Sequence, residues 1–252
     1  AYNEQLSIAR ASEVIGGILT GEHIAYELIF VDDGSKDKTW SVIQEQAKCN
    51  AQVRGVHFSR NFGKEAAIFA GLAHAKGDCV VVLDCDLQHP PEKIVDMYHL
   101  WQKGYQVVEG FKVDRGKENP LHTFSANTFY AIISKCTGID MSKASDFKLL
   151  DRKAVDVLLC MRERSAFFRA LSSWIGFQTA QVEFEVQPRL EGESKWSGRT
   201  LIRYAITNIA SFSSAPLQLV TVLGIIVLLG SILLGIWSLV QKFMGNALEG
   251  FT

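Results

Sequence analysis

The sequence predicts an α/β domain with a mostly parallel sheet covered by helices on both faces, followed by amphipathic interfacial helices and one transmembrane helix. Three observations predict it. Short β-branched runs alternate with helical apolar periodicity through the first half of the chain, the pattern of repeated strand-helix-strand units. Several of those runs stop abruptly in acidic residues, at Asp32-Asp33 and at Asp84-Cys85-Asp86. From Leu217 to Val240 roughly 24 residues carry no charge, enough to cross a bilayer that needs about 20.

Each element follows in order. Leu6, Ile8, Ala9, Val14, Ile15, Ile18 and Leu19 mark a first helix. An α/β domain opens on a strand before such a helix, so a strand is expected ahead of Ala1, and the C-terminal end is expected to be cut short. Ile24–Val31 reads as a strand running into Asp32-Asp33-Gly34-Ser35, and Asp37 and Thr39 lead into a helix through Ala47. Val53–Phe58 is the next strand, followed by Ser59-Arg60-Asn61-Phe62-Gly63-Lys64 and a small-residue helix over Glu65–Ala75. Asp78–Asp84 is the next strand, and its β-branched run reads as buried on both faces. Pro90-Pro91 stops it and opens a helix over Lys93–Gln102. Val107–Phe111 makes a further strand, Leu121–Ile133 a helix, Asp146–Leu150 a short strand and Ala154–Cys160 a helix. Phe167–Ile175 has a large apolar face with one arginine, which suits either a core helix or one on a membrane surface. Val182–Val186 alternates as a strand. Leu201, Ile202, Ala205, Ile206, Ile209 and Phe212 form a stripe beside Arg199 and Arg203, the pattern of a helix in the membrane interface.

Composition narrows the function classes. Lys and Arg number 26 against 27 Asp and Glu, so no excess of positive charge points to a nucleic acid partner. Five cysteines lack metal-ligand spacing, and their odd count argues against a disulfide framework. Arg189, Lys195, Arg199 and Arg203 precede the uncharged segment while only Lys242 follows it closely. The positive-inside rule then keeps the N-terminal bulk in the cytoplasm, at the inner (plasma) membrane. Gly224 and Gly230 are small residues of the kind through which spanning helices pack, which leaves a homo-oligomer open. The expected organisation is a catalytic domain over 1–190, an amphipathic segment over 191–214, a transmembrane helix over 215–241 and a short segment over 242–252.

The strand ends carry the chemistry. In a continuous strand Asp84 and Asp86 would share a face, with Gln88 on the same alternation. Two carboxylates so placed repel unless a cation lies between them, and hard oxygens suit Mg²⁺ or Mn²⁺. In a parallel sheet ligands bind beyond the carboxyl ends of the strands, so Asp32-Asp33, Arg60-Asn61 and Asp84-Asp86 can share one cleft. Aspartates, a cation and nearby Arg60 and Lys64 suit a phosphate-bearing ligand whose charge builds on leaving. Asp32 and Asp33 cannot both face one diphosphate without cost, so one is better used on a base or ribose.

Tyr2-Asn3-Glu4, Val31-Asp32-Asp33-Gly34-Ser35, Ser59–Lys64, Leu83–Pro91, Ala144–Arg152 and Gly192-Glu193-Ser194-Lys195-Trp196 together resemble the family 2 glycosyltransferases, specifically those acting on polyprenyl phosphates. The resemblance implies a glycosyltransferase A-type fold and transfer of one sugar from a nucleotide-diphosphate sugar, UDP-glucose or a related hexose donor, to a lipid phosphate such as undecaprenyl phosphate. It implies Asp84, Asp86 and Gln88 at the metal and diphosphate. Tyr2, Glu4, Asp32, Asp33, Arg60 and Lys64 would complete the donor site. Asp86 and Asp146 would be the catalytic carboxylates, with Asp146 near the reacting sugar. Arg115, Arg189 and Lys195 are the candidates for the acceptor phosphate, although the segment around His122-Thr123 lacks a Lys-Arg pair expected there. Processive synthases of the superfamily carry Gln-x-x-Arg-Trp, and this sequence does not.

Two other classes fit part of the pattern. A receiver-like signalling module also gathers strand-end aspartates around Mg²⁺, but it needs a Lys-Pro step that is absent here and gives the apolar segments no role. A membrane-tethered scaffold that kept only the fold would have no need of intact acid pairs.

Overall fold

A computed structural model describes residues 1–113, 145–161, 167–185 and 215–244. The expected helix over 121–133, the amphipathic stripe over 201–212 and the basic residues Arg115, Arg189 and Lys195 lie outside the described residues.

The chain opens with α1 (Ser7–Gly21), whose buried Ile8, Ala11, Ile15 and Leu19 recur at helical spacing. Then come β1 (Leu28–Asp32), α2 (Thr39–Cys49), β2 (Val53–His57), α3 (Lys64–His74), β3 (Cys79–Val82), α4 (Lys93–Gln102) and β4 (Val107–Lys112). Through Lys112 the expected strands and helices are present, with β1 beginning at Leu28 and not at Ile24. Next are β5 (Lys148–Asp151), α5 (Arg152–Cys160), α6 (Phe168–Trp174), β6 (Thr179–Phe184) and α7 (Ala215–Phe243). Asp151 ends β5 and starts α5 at once, its Oδ1 accepting the Lys153 N–H at 2.9 Å.

β1 and β2 pair in parallel, with Asp32 opposite His57. Ala1 lies along the other side of β1, donating to the Val31 carbonyl at 2.7 Å and accepting from the Asp33 N–H at 2.9 Å. The second sheet has the order β3-β5-β4-β6, with β6 parallel to β4 and β5 antiparallel to both of its neighbours. The antiparallel β5 inserted between β3 and β4 is the one departure from parallel pairing among the described strands. It brings the residues just before it, including Asp146, to the end of the sheet where β3 stops.

Alternation along the second sheet divides the apolar residues between its two faces. Val81, Val108 and Leu149 face a core with α1 and α4, while Val80, Val107 and Leu150 face one with α5 and α6. Phe168 and Leu171 are buried in that second core, and Ala170 beside them is also buried, which decides the open question about 167–175 in favour of a core helix. By contrast α7 presents its apolar side chains outward. Its stretch Val220–Phe243 is long and apolar enough to cross a membrane, and none of it is buried against the rest of the chain.

Candidate active site

Two acidic clusters form at the strand ends. At the end of β1, Asp32 is fully buried and Asp33 is 5% exposed. Asp32 Oδ1 accepts from the Ser35 N–H at 3.1 Å and from the Ser35 hydroxyl, while Oδ2 faces His57 Nδ1 at 2.8 Å. The parallel register that sets Asp32 against His57 makes this contact, and Trp40 stacks on the imidazole with ring centroids 4.7 Å apart. Asp33 Oδ1 accepts from the Phe62 N–H at 2.7 Å, and Oδ2 accepts from the Gly63 N–H at 3.0 Å. Gly34 between these loops has φ +67°, and a Cβ there would come within 2.3 Å of the Arg60 backbone carbon. Only glycine permits so close an approach in that conformation.

The segment carrying Tyr2 and Glu4 docks on the same loop. The Asn3 N–H donates to Ser35 Oγ at 2.8 Å, the Glu4 N–H to Thr39 Oγ1 at 2.8 Å, and the Lys38 N–H to Gln5 Oε1 at 3.0 Å. Tyr2, Glu4, Asp32 and Asp33 are therefore neighbours. Arg60 is exposed, its guanidinium carbon 4.5 Å above the Phe62 ring, a cation–π contact.

The second cluster lies at the ends of β3 and β5. The strand stops at Val82, so Asp84 and Asp86 sit in the turn that follows and not, as the alternation predicts, on one face of a continuous strand. Asp86 Oδ1 accepts the Gln88 N–H at 3.2 Å across Leu87, whose φ is +56°. This aspartate turn is a local competitor to the sheet. Lys64, the first residue of α3, reaches Asp84 Oδ2 at 2.8 Å and Asp146 Oδ2 at 2.7 Å. Arg169 closes on Asp146 from the other side, with Nε to Oδ1 at 2.6 Å and Nη2 to Oδ2 at 2.8 Å. Burial alone would push the Asp146 carboxyl up, but Arg169 and Lys64 outweigh it and hold the group well below the usual carboxylate range. Burial would likewise lower the Lys64 ammonium, and Asp84 and Asp146 instead raise it.

The clusters communicate through one short loop. Asp33 holds Gly63, Gly63 precedes Lys64, and Lys64 bridges Asp84 and Asp146. Of the residues picked out in the sequence, ten lie in these two clusters: Tyr2, Glu4, Asp32, Asp33, Arg60, Lys64, Asp84, Asp86, Gln88 and Asp146. Sequence reasoning missed Arg169 and His57. The signal for Arg169 was its isolation as a single charge in the apolar run 167–175, and for His57 its place at the end of a strand beside Asp32.

Asp84 and Asp86 supply hard carboxylate oxygens of the kind a divalent cation takes. Asp84 has a side chain 42% exposed, and Lys64 holds only its Oδ2. Among the described residues no group of three or more His, Cys, Asp and Glu is placed to hold a metal ion by itself. Two carboxylates with remaining positions left to water and phosphate is how Mg²⁺-type sites are built.

The model for glycosyl transferase family 2 matches residues 1–170. This chain belongs to glycosyl transferase family 2. It is 37% identical over 89% of its length to a bactoprenol glucosyl transferase of Shigella phage SfV, covering 74% of that protein. It is also 36% identical to the prophage bactoprenol glucosyl transferase homolog of Escherichia coli K12, over 89% of this chain and 74% of that one. Among solved structures, glucosyl-3-phosphoglycerate synthase of Mycobacterium tuberculosis, in complex with Mn²⁺, UDP-glucose and phosphoglyceric acid, superposes with a TM-score of 0.54 at 21% identity, covering 84% of this chain and 75% of that one. Mannosyl-3-phosphoglycerate synthase of Rubrobacter xylanophilus gives a TM-score of 0.57 at 14% identity, over 84% of this chain and 70% of that one. The family 2 chain therefore has the glycosyltransferase A-type fold and is a glycosyltransferase.

Proposed function

We propose that this family 2 enzyme transfers a single sugar, with inversion, from a nucleotide-diphosphate sugar to a polyprenyl phosphate at the cytoplasmic face of the membrane. The observation that carries the reading is the Lys64–Asp84–Asp146–Arg169 cluster in a chain that also bears the apolar helix α7. Relatives named bactoprenol glucosyl transferases favour glucose as the sugar and undecaprenyl phosphate as the acceptor. A polyprenol loses roughly 0.8 kcal/mol for each CH₂ brought into water, so the enzyme must meet it at the bilayer. In this reading residues 1–190 form the catalytic domain, 191–214 lie on the membrane and 215–241 cross it.

The acceptor phosphate oxygen attacks the anomeric carbon while the bond from that carbon to the donor diphosphate breaks, and the nucleoside diphosphate leaves. Tyr2, Glu4 and the loops shaped by Asp32 and Asp33 hold the nucleoside. Arg60 lies at the edge of that site. Asp84 and Asp86, with Gln88, would hold a divalent cation, Mg²⁺ or Mn²⁺, which when bound neutralises charge on the leaving diphosphate. Arg115, Arg189 and Lys195 are the proposed acceptor-phosphate cations. A phosphate monoester has its second pKa near 6 and needs no base to become nucleophilic near neutral pH. Asp146, held low by two cations, is a poor base and acts by orienting sugar hydroxyls and cations.

The decisive assay supplies the full chain in bilayer discs with undecaprenyl phosphate and a panel of UDP- and GDP-sugars, with product configuration read by NMR. Lipid-linked monosaccharide of inverted configuration is expected, and better turnover on a soluble sugar acceptor overturns the proposal. Asp146→Asn is expected to lower the rate about equally at every pH while leaving measurable transfer. Complete loss at all pH values with both substrates still bound makes Asp146 the base.

A further inference from the structure

We infer that Arg169 is a positioning residue for sugar transfer, its guanidinium fixing the Asp146 carboxylate while the buried Lys148 fixes the helix that carries Arg169. This rests on the reading above, in which Asp146 faces the reacting sugar. Both Asp146 oxygens are engaged by the Arg169 fork, at 2.6 and 2.8 Å, so the plane of the carboxylate is set and not merely its charge. Lys64 adds its bond to Oδ2 alone.

Arg169 is the second residue of α6, a helix of seven residues and too short to hold itself. Three polar attachments locate it. Glu65, adjacent to Lys64, accepts the Phe168 N–H at 2.8 Å. Lys148 Nζ, wholly buried, donates to Ser172 Oγ at 2.8 Å and to Ser173 Oγ and the Arg169 carbonyl at 3.4 Å each. Glu109 on β4 pairs with the same ammonium and also accepts from the Ser173 hydroxyl at 3.1 Å. Apolar contacts through Phe168 and Leu171 bury α6, and such contacts are not directional. A buried ammonium is costly unless fully bonded, and an apolar residue of similar volume would fill the space at less cost. What Lys148 supplies in return is a fixed distance from β5, the strand that follows Asp146, to the backbone of Arg169.

The test uses the full chain with the donor found active on the wild type and undecaprenyl phosphate. Arg169→Lys keeps the charge and loses the fork. Its kcat is expected to fall about 10²-fold, the scale of a small misplacement of a reacting group, with KM for the donor near that of wild type. Guanidinium ion should restore part of the kcat of Arg169→Ala and none of that of Arg169→Lys. Lys148→Met should fold and show the same selective loss of kcat. Wild-type kcat in Arg169→Lys, a defect confined to KM, or a folded Arg169→Ala that guanidinium does not rescue overturns the inference. Should Arg169→Ala fail to fold, the Lys variant decides. The ¹³C shift of the Asp146 side-chain carboxyl gives a reading independent of turnover. It should move in both Arg169→Lys and Lys148→Met, and an unmoved signal overturns the clamp even if no donor is turned over. Inactive wild type with a moved signal removes the proposed function and leaves the clamp standing.

Discussion

The two acidic clusters are built from the same residue type at the same kind of place, yet the chain treats them in opposite ways. At the end of β1 the carboxylates of Asp32 and Asp33 bond to Ser35, His57 and the backbone of Phe62 and Gly63. At the end of β3, Asp84 is met by one flexible lysine and remains half open. Carboxylates satisfied by rigid backbone N–H groups shape loops. A carboxylate left half open, as Asp84 is, stays available to exchange partners when a ligand arrives. The contrast predicts that removing the first kind damages the fold and removing the second kind damages the reaction.

The largest effect is expected at the open cluster. Asp84→Ala should cut the transfer rate by about 10²- to 10³-fold or more, as losing an electrostatic stabiliser of the transition state does, while the melting temperature stays near wild type. Chelator should do the same, and full turnover in its presence would break the comparison. Next comes the closed cluster, where Asp33→Ala leaves the Phe62 and Gly63 N–H groups without their acceptor. A cost of about 2 kcal/mol in stability is expected, read as a lower melting temperature. Gly34→Ala should cost about 1–3 kcal/mol, from a left-handed φ compounded by the approach of the Arg60 backbone. Intact melting in Asp33→Ala would show that this carboxylate does not hold the loop, and intact melting in Gly34→Ala that the close approach to Arg60 does not.

Glu27 sharpens the contrast with a smaller effect. It accepts from the Lys76 N–H at 2.6 Å and the Gly77 N–H at 3.2 Å, and it pairs with Arg54. Burial pushes its carboxyl up, and those bonds outweigh burial and bring it below the ordinary value of 4.5. A carboxyl lowered on folding stabilises above its unfolded pKa, and that contribution is lost as pH falls through the folded one. Glu27→Gln should therefore cost about 1 kcal/mol or less near pH 7, given a partly solvated pair, and the gap should close in acid below pH 4.5. An unchanged gap at low pH would count against the assignment.

Much of the fold was legible because packing writes itself into local pattern, although β3, expected to be buried on both faces, has all four residues only half-buried. The β-branched run Val80–Val82 announces β3, and Lys93–Gln102 announces α4 with its bounds intact. The acids were legible because charge at the end of an apolar strand has few structural uses. Three features were not. The geometry of Asp84 and Asp86 depends on a turn through Leu87 that no alternation rule encodes. The antiparallel insertion of β5 joins segments far apart in sequence. Arg169 meets Asp146 only because α6 packs beneath β5, so a single arginine among apolar residues reads as a surface feature until the tertiary contact is known. His57 is hidden for the same reason, since its partner is fixed by strand register.

The length of α7 sets a mechanical condition on the whole molecule. At about 1.5 Å per residue, the 24 residues of Val220–Phe243 run about 36 Å, against a hydrocarbon layer of about 30 Å. A span that is too long leans, kinks or thickens the lipid around it, and thicker membranes relieve the mismatch. In a bilayer a lean would tip whatever is joined to the end of the helix toward the lipid headgroups on one side. Under the proposed function, bilayer thickness becomes a control on how closely the catalytic cleft approaches its acceptor, and lipid acyl-chain length a variable that changes turnover without touching a residue of the protein.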